Sequence, residues 1–284
     1  MRVLMVGATG RNAGAVLPEL VGRGVTVRAL VRDEARAGLA RRRGAAETVL
    51  GDLTDPASLR RAVDGADGVF HLGPAFAPDE AAMGIAMIDA ARAAGVRRFV
   101  FSGVIHPSIA ALPNHTAKLP VEEALYDSGM EFTVLQPARF MQNWAAAWPE
   151  VVERGRLPMP YSVDARFCWV DYRDVATVAA LALTGDRLVN GTFELCAAGM
   201  PDGRETAALA GAVLGRPVEA VQISREEFTA RLPEGPEWDG LRRMLAHYDG
   251  HGLPGGNPLV LEALLGREPR SLRQYFGDLA AGSA

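Results

Sequence analysis

The sequence predicts an α/β fold, a doubly wound parallel sheet with a smaller C-terminal α+β lobe. Three observations predict it. Short apolar runs alternate with helical patterns through the first half of the chain. Those runs are nearly continuous in apolar residues, as strands covered on both faces are. From about residue 155 prolines multiply and the regular alternation stops.

Residues 3–6 read as the first strand, an apolar run that ends in Gly7. Residues 14–23 then place Val16, Leu17, Leu20 and Val21 on one helical face. Residues 25–31 form the second strand, and 48–50 the third, followed by Gly51 and Asp52. Residues 68–72 are the fourth. A helix over 79–94 leads to a fifth strand at 98–101, and a helix over 118–128 to a sixth at 132–135. This alternation places helices on both faces of a parallel sheet. Prolines from Pro158 to Pro269 cut the rest into short pieces. Helices are expected at 172–184, capped by Asp171, and at 204–214. Residues 231–258, rich in Gly and Pro around Trp238 and Tyr248, read as irregular. The first domain is assigned to 1–154, with 171–198 returning to it, and the lobe to 155–284. In open α/β sheets ligands bind beyond the carboxyl ends of the strands, where such a lobe completes a pocket.

Composition excludes several classes. With 49% hydrophobic and 23% charged residues the chain is globular rather than disordered. A net charge of −4 disfavours nucleic acid as the partner. Two cysteines, Cys168 and Cys196, form neither a disulfide framework nor a CxxC pair. The first strand begins at Arg2, which leaves no room for a signal peptide, and no apolar run reaches the roughly 18 to 20 residues that span a bilayer. A cytoplasmic protein is expected. One count stands out: of 30 Lys and Arg residues, Lys118 is the single lysine.

After the first strand comes Gly7-Ala8-Thr9-Gly10-Arg11-Asn12-Ala13-Gly14, a GxxGxxA pattern that opens into a helix. Gly7 and Gly10 allow a tight turn and close approach to a pyrophosphate. The helix N-terminus presents N–H groups to it, and Ala13 is small enough for the helix to pack on the strand. In a strand–turn–helix context this is the Rossmann-type dinucleotide signature, and Thr9, Arg11 and Asn12 share the loop. The second strand ends in Val31-Arg32-Asp33. Arg32 and Arg11 suit a 2′-phosphate, so NADP(H) is preferred; Asp33 keeps NAD(H) as the alternative. Asp52 is a candidate for the adenine pocket or for a turn. Leu53, Gly73 and Pro137 complete the expected cofactor contacts.

Gly-Ala-Thr-Gly-Arg at 7–11, Leu-Val-Arg-Asp at 30–33, Gly-Asp-Leu-Thr-Asp at 51–55, His115-x-x-Lys118, Leu-Gln-Pro-Ala-Arg-Phe-Met-Gln-Asn at 135–143 and Gly-Arg-Glu-Pro-Arg-Ser-Leu at 266–272 together resemble the NmrA-like family of atypical short-chain dehydrogenase/reductases. The resemblance implies a Rossmann domain with a small substrate lobe. It also implies one of two activities, NAD(P)H-dependent reduction of quinones, dyes or ketones, or redox sensing without turnover. The tyrosine that such enzymes carry four residues before the lysine is absent, since Asn114 stands there.

Lys118, His115 and Ser102 are therefore the candidate proton donors for a reduced carbonyl, and Lys118 is equally a candidate to bond the nicotinamide ribose. His115 and Lys118, three apart, share a helix face only if the helix starts early, and Pro120 puts its start near Thr116. The competing role for Lys118 is a surface lysine paired with Glu122. An arginine would serve there equally well, whereas an amine whose pKa falls on burial is hard to replace by guanidinium. His71, Phe140, Met141 and Trp144 are the candidate substrate contacts, an apolar and aromatic wall. The histidines lack metal-ligand spacing, so no metal is expected. Arg41-Arg42-Arg43 reads as a solvated helix face. The expected function is an NAD(P)H-dependent reductase of a carbonyl, quinone or enone in an apolar or aromatic small molecule. The alternatives are a cofactor-sensing regulator with a protein partner and a non-redox enzyme on the same fold.

Overall fold

The structure, a computed structural model, describes residues 1–230 and 237–283. The chain divides into two compact units. The first holds Met1–Ser108, His115–Pro137 and Val175–Glu194; the second holds Ile109–Asn114, Ala138–Asp174 and Leu195–Ala284.

The first unit contains β1 (Arg2–Val6), α1 (Val16–Gly22), β2 (Thr26–Val31), α2 (Glu34–Arg42), β3 (Glu47–Leu50), α3 (Pro56–Val63), β4 (Gly68–His71), α4 (Glu80–Ala93) and β5 (Arg98–Ser102). A single turn, α5 (Pro113–Thr116), precedes α6 (Leu119–Tyr126) and β6 (Glu131–Pro137). The sheet has seven strands in the order β3, β2, β1, β4, β5, β6 and then Gly191–Leu195. Pairing is parallel from β3 through to β6. The doubly wound parallel sheet expected from the apolar runs is the one observed. The order reverses between β1 and β4, so the ends of these two strands, at Gly7 and His71, flank the topological switch point.

Local chemistry explains the elements. Asp33 and Asp55 cap α2 and α3 by accepting from the Arg36 and Ala57 N–H groups, and Pro56 follows Asp55 in the first turn. One face of the sheet, with Leu4, Val69, Phe99 and Phe101, packs on Leu59, Met87, Ala91, Val121 and Leu125 from the helices. The crossing of α4 and α6 is close: a Cβ on Gly84 would stand 2.7 Å from Val121 Cγ2. Glycine is required there by proximity.

Arg98 starts β5 and is 1% exposed. Its guanidinium pairs with Glu131 and Asp186, each at 2.6 Å, and donates to the carbonyls of Ala182, Leu183 and Gly185. Arg98→Met keeps the stem and removes every one of these bonds. We expect a loss of about 3 kcal/mol in urea unfolding; a loss below about 1 kcal/mol would show the network to be dispensable.

The second unit includes helices Trp148–Arg154, Gly203–Leu214, Glu237–His251, Leu259–Leu265 and Leu272–Ala280, and two short parallel strand pairs. Residues 231–258 were expected to be irregular, and the helix Glu237–His251 corrects this. Leu241, Met244, Leu245 and Tyr248 recur at helical spacing there, hidden in the sequence by Gly240, Gly250 and the flanking prolines. Pro233 and Pro236 lie outside the described residues. Fully buried Asp174 holds the 266–272 motif: it pairs with Arg267 at 2.7 Å and with the Arg270 guanidinium, and accepts from the Arg270 N–H at 2.7 Å.

Candidate active site

The glycine loop forms as its pattern requires. Gly7 has φ +85°, a left-handed conformation that glycine alone adopts without cost. A Cβ on it would also meet Ala13 Cβ at 2.9 Å. The Gly10 N–H donates to the Gly7 carbonyl at 2.8 Å and closes the turn. The helix behind it opens with a 3₁₀ turn, Ala13–Ala15, before α1. Asn12 Oδ1 is buried without a hydrogen-bond partner, a group left for a ligand to satisfy. A tight loop and a small Ala13 fit a dinucleotide pyrophosphate, and the unpaired Asn12 Oδ1, an acceptor, suits a donor such as a ribose hydroxyl of the same ligand.

One cation that supports this loop was missed. Arg43, read with its neighbours as a solvated face, bends its Nη1 onto the Ala8 and Gly10 carbonyls at 3.4 and 3.3 Å. The space comes from Gly14, where a Cβ would stand 2.6 Å from that nitrogen. At the end of β2, Arg32 is exposed. The Asp33 carboxylate is engaged in the α2 cap and an ion pair with Arg36 at 3.2 Å, so it is occupied rather than free for a ribose. Asp52 accepts from the Thr54 N–H and hydroxyl, both at 2.8 Å, which makes it a turn residue. Leu53 beside it is half-buried.

Across the switch point lies a buried polar cluster. Lys118 is 4% exposed and its Nζ contacts Glu80 Oε1; Glu80 is 3% exposed. The surface-lysine alternative is thereby corrected, as is the pairing with Glu122. The Glu122 carboxylate instead accepts from Gln136 Nε2 at 3.0 Å and from the Tyr126 hydroxyl at 3.3 Å. Helix packing selects Glu80: it sits one turn before Gly84 in α4, and Lys118 three residues before Val121, so the close Gly84–Val121 crossing brings the two together. Burial pushes the Lys118 amine down to about 8, against the upward pull of the Glu122 charge. Glu122 is itself raised by burial.

His71 ends β4, is 1% exposed, and its Nδ1 has no hydrogen-bond partner. Burial, with the Lys118 charge, pushes it down to about 3, so it stays neutral and stacks on Phe101 at 6.0 Å. A Cβ on Gly73 would lie 3.5 Å from His71 Nε2 and 3.7 Å from Glu80 Cγ, so the loop after β4 touches the cluster. Ser102 and Pro137, the last residues of β5 and β6, are buried. His115 belongs to the separate turn α5, and its Nδ1 lies 3.3 Å from the His106 carbonyl. The break before Leu119 corrects the idea of one continuous helix face for His115 and Lys118.

The aromatic residues after β6 are placed within the second unit. Phe140 meets Tyr172 edge-on at 4.8 Å, Trp144 packs on Trp169 at 5.2 Å, and Trp148 stacks on Phe276 at 5.5 Å. Met141 and Trp169 line a mostly apolar cavity of about 570 Å³ with Leu209 and Leu272.

The sequence model of the NmrA-like family matches residues 1–279. Among curated proteins, an NAD(P)H azoreductase from Xenophilus azovorans is 35% identical over 230 residues, 79% of this chain and 78% of that one. The (4-alkanoyl-5-oxo-2,5-dihydrofuran-3-yl)methyl phosphate reductase of Streptomyces griseus is 33% identical over 99% of both chains. Among solved structures, the NADPH-dependent quinone oxidoreductase of Escherichia coli, complexed with NADPH, aligns with a TM-score of 0.83 at 23% identity over 98% of this chain and 99% of that one. The Citrobacter sp. triphenylmethane reductase complexed with NADP(H) aligns at 0.83 and 20% identity, over 99% and 100%.

Proposed function

The chain belongs to the NmrA-like family, and from that premise we propose that it is an NADP(H)-dependent reductase of a carbonyl, quinone or enone group in an apolar or aromatic small molecule. NAD(H) is the alternative cofactor. The observation that carries the reading is the buried Lys118 amine, set against Glu80 beside a neutral His71, in the same unit as the phosphate loop. Two relatives above 30% identity, one matched over 99% of its length and the other over 78%, are named as a reductase of a dihydrofuranone phosphate and as an azoreductase, which supports a conjugated acceptor. The cavity walls of the second unit, Met141 and Trp169 among them, suit such a molecule.

In this reading Gly7, Gly10 and Ala13 shape the pyrophosphate turn, Thr9 and Arg11 contact the pyrophosphate, and Asn12 accepts from a ribose hydroxyl. Arg32 takes the 2′-phosphate, Leu53 lies toward the adenine on the turn that Asp52 holds through Thr54, and Gly73 and Pro137 lie toward the nicotinamide. Bound there, the reduced nicotinamide supplies a hydride. The acceptor also needs one proton, and Lys118 Nζ holds it. An ammonium with a pKa of about 8 is still mostly protonated at pH 7, yet gives up its proton more readily than an ordinary lysine near 10.4. Glu80 fixes the amine in place. His71, being neutral, leaves Lys118 as the charged donor of the cluster.

Two experiments test this. NADPH oxidation is measured with a panel of quinones, enones and azo dyes; turnover is expected, and tight NADPH binding without any turnover would select a cofactor sensor instead. Arg32→Ala is expected to weaken NADPH binding about tenfold and to leave NADH unchanged in a fluorescence titration. Equal effects on both cofactors would sink the 2′-phosphate assignment.

A further inference from the structure

Arg139 starts the two-residue strand Arg139–Phe140, which pairs in parallel with Trp169–Val170. Its guanidinium carbon lies 4.6 Å from the centre of the Trp169 ring, 4.7 Å from Phe167, 4.8 Å from Tyr161 and 5.5 Å from Tyr248. Four rings hold the cation and replace part of its lost hydration. They do not neutralise it. Other arginines of this unit meet carboxylates: Arg173 pairs with Asp171 and Asp278, Arg267 and Arg270 with Asp174, and Arg166 with Asp202 and Glu205.

No described carboxylate stands within ion-pair distance of Arg139. Its side-chain hydrogen bond runs from Nη1 to the Tyr161 hydroxyl at 2.5 Å. Neighbouring groups do not supply an anion: burial pushes the Tyr248 phenol up to about 12, and contact with Cys196 together with burial raises the Cys168 thiol. A half-buried arginine without a counter-charge is a costly way to fill apolar space, because a methionine would pack there without desolvating a charge. What guanidinium adds is a planar edge of N–H donors matched to an oxyanion. The surrounding rings hold the guanidinium in place in advance, which lowers the ordering cost of using it.

We propose that Arg139 is an anion anchor, binding a phosphate, carboxylate or sulfonate group carried by the acceptor. This rests on the reductase reading and narrows its substrate class to conjugated acceptors that bear an oxyanion.

The test compares 1,2-naphthoquinone with its 4-sulfonate in NADPH-dependent turnover. For Arg139→Met we expect KM for the sulfonate to rise about tenfold or more, while KM for the neutral quinone and kcat for both stay within about twofold. Arg139→Lys should recover part of the loss, because it restores charge without the fork. Equal KM changes for the two quinones, or none, would overturn the anchor. Calorimetric binding of naphthalene-2-sulfonate is measured in parallel. If the wild type reduces neither quinone, the reductase reading fails, and binding alone judges the anchor. Sulfonate binding that is lost in Arg139→Met upholds it; no binding by the wild type, or equal binding by the variant, refutes it. Thermal melts accompany each variant, and if Arg139→Met does not fold, Arg139→Gln and Arg139→Lys carry the comparison.

Discussion

Lys118→Arg is expected to bind NADPH and to lose reductase turnover by about 100-fold or more, the scale of a missing general acid. The reason lies in the amine. Lys118 is buried against Glu80, and burial brings its pKa to about 8. A guanidinium keeps the positive charge for Glu80 but does not release a proton in any accessible pH range. Lys118→Met removes the charge as well and leaves the buried Glu80 carboxylate, among the described residues, with the Phe76 N–H at 3.2 Å as its hydrogen-bond donor. It should therefore be both inactive and less stable. Adding Glu80→Gln to Lys118→Met should return stability but not turnover, since the buried carboxylate charge is then gone. If Lys118→Arg kept wild-type turnover, the amine would be a structural partner of Glu80 and nothing more.

Gly7→Val is the second large expected effect, and it strikes binding rather than chemistry. A β-branched residue at φ +85° is strained by roughly 1–3 kcal/mol. Its Cβ would also press on Ala13 Cβ, which stands 2.9 Å from that position, and push the helix start away from the strand. The helix N-terminus that meets the pyrophosphate is displaced with it. NADPH affinity should fall about 100-fold, equivalent to about 2.7 kcal/mol, in a titration of tryptophan fluorescence quenching. The sheet should survive, because β1 is anchored by its parallel pairing with β2 and β4. Affinity within about threefold of the wild type would mean that the loop does not hold the cofactor.

The parts legible in the sequence are those set by short-range rules. Apolar runs without alternation marked β1 to β6, and Gly7, Gly10 and Ala13 marked the turn, because each feature depends on residues within one loop. Lys118 was flagged by composition, since a single lysine among so many arginines singles out an amine. Its partner was not legible. Glu80 lies 38 residues earlier, and only the packing of α4 on α6 at Gly84 and Val121 joins them. The one local sign was a glycine inside a helical pattern, which marks close approach but does not say of what. Arg43 was hidden likewise, because its reach to the phosphate loop depends on the missing side chain at Gly14. The second unit was harder. The apolar positions of Glu237–His251 keep helical period, but the glycines and prolines around them masked it.

The pH dependence of single-turnover NADPH oxidation by a reducible quinone, followed for the wild type and Lys118→Arg, tests the central role of Lys118 most directly. A donor must be protonated before it acts, so the wild-type rate should be flat below its pKa and fall tenfold per pH unit above about 8. Lys118→Arg should be slow at every pH and lack that break. A wild-type rate that is level from pH 6 to 10, or the same break in both proteins, would contradict proton delivery by Lys118.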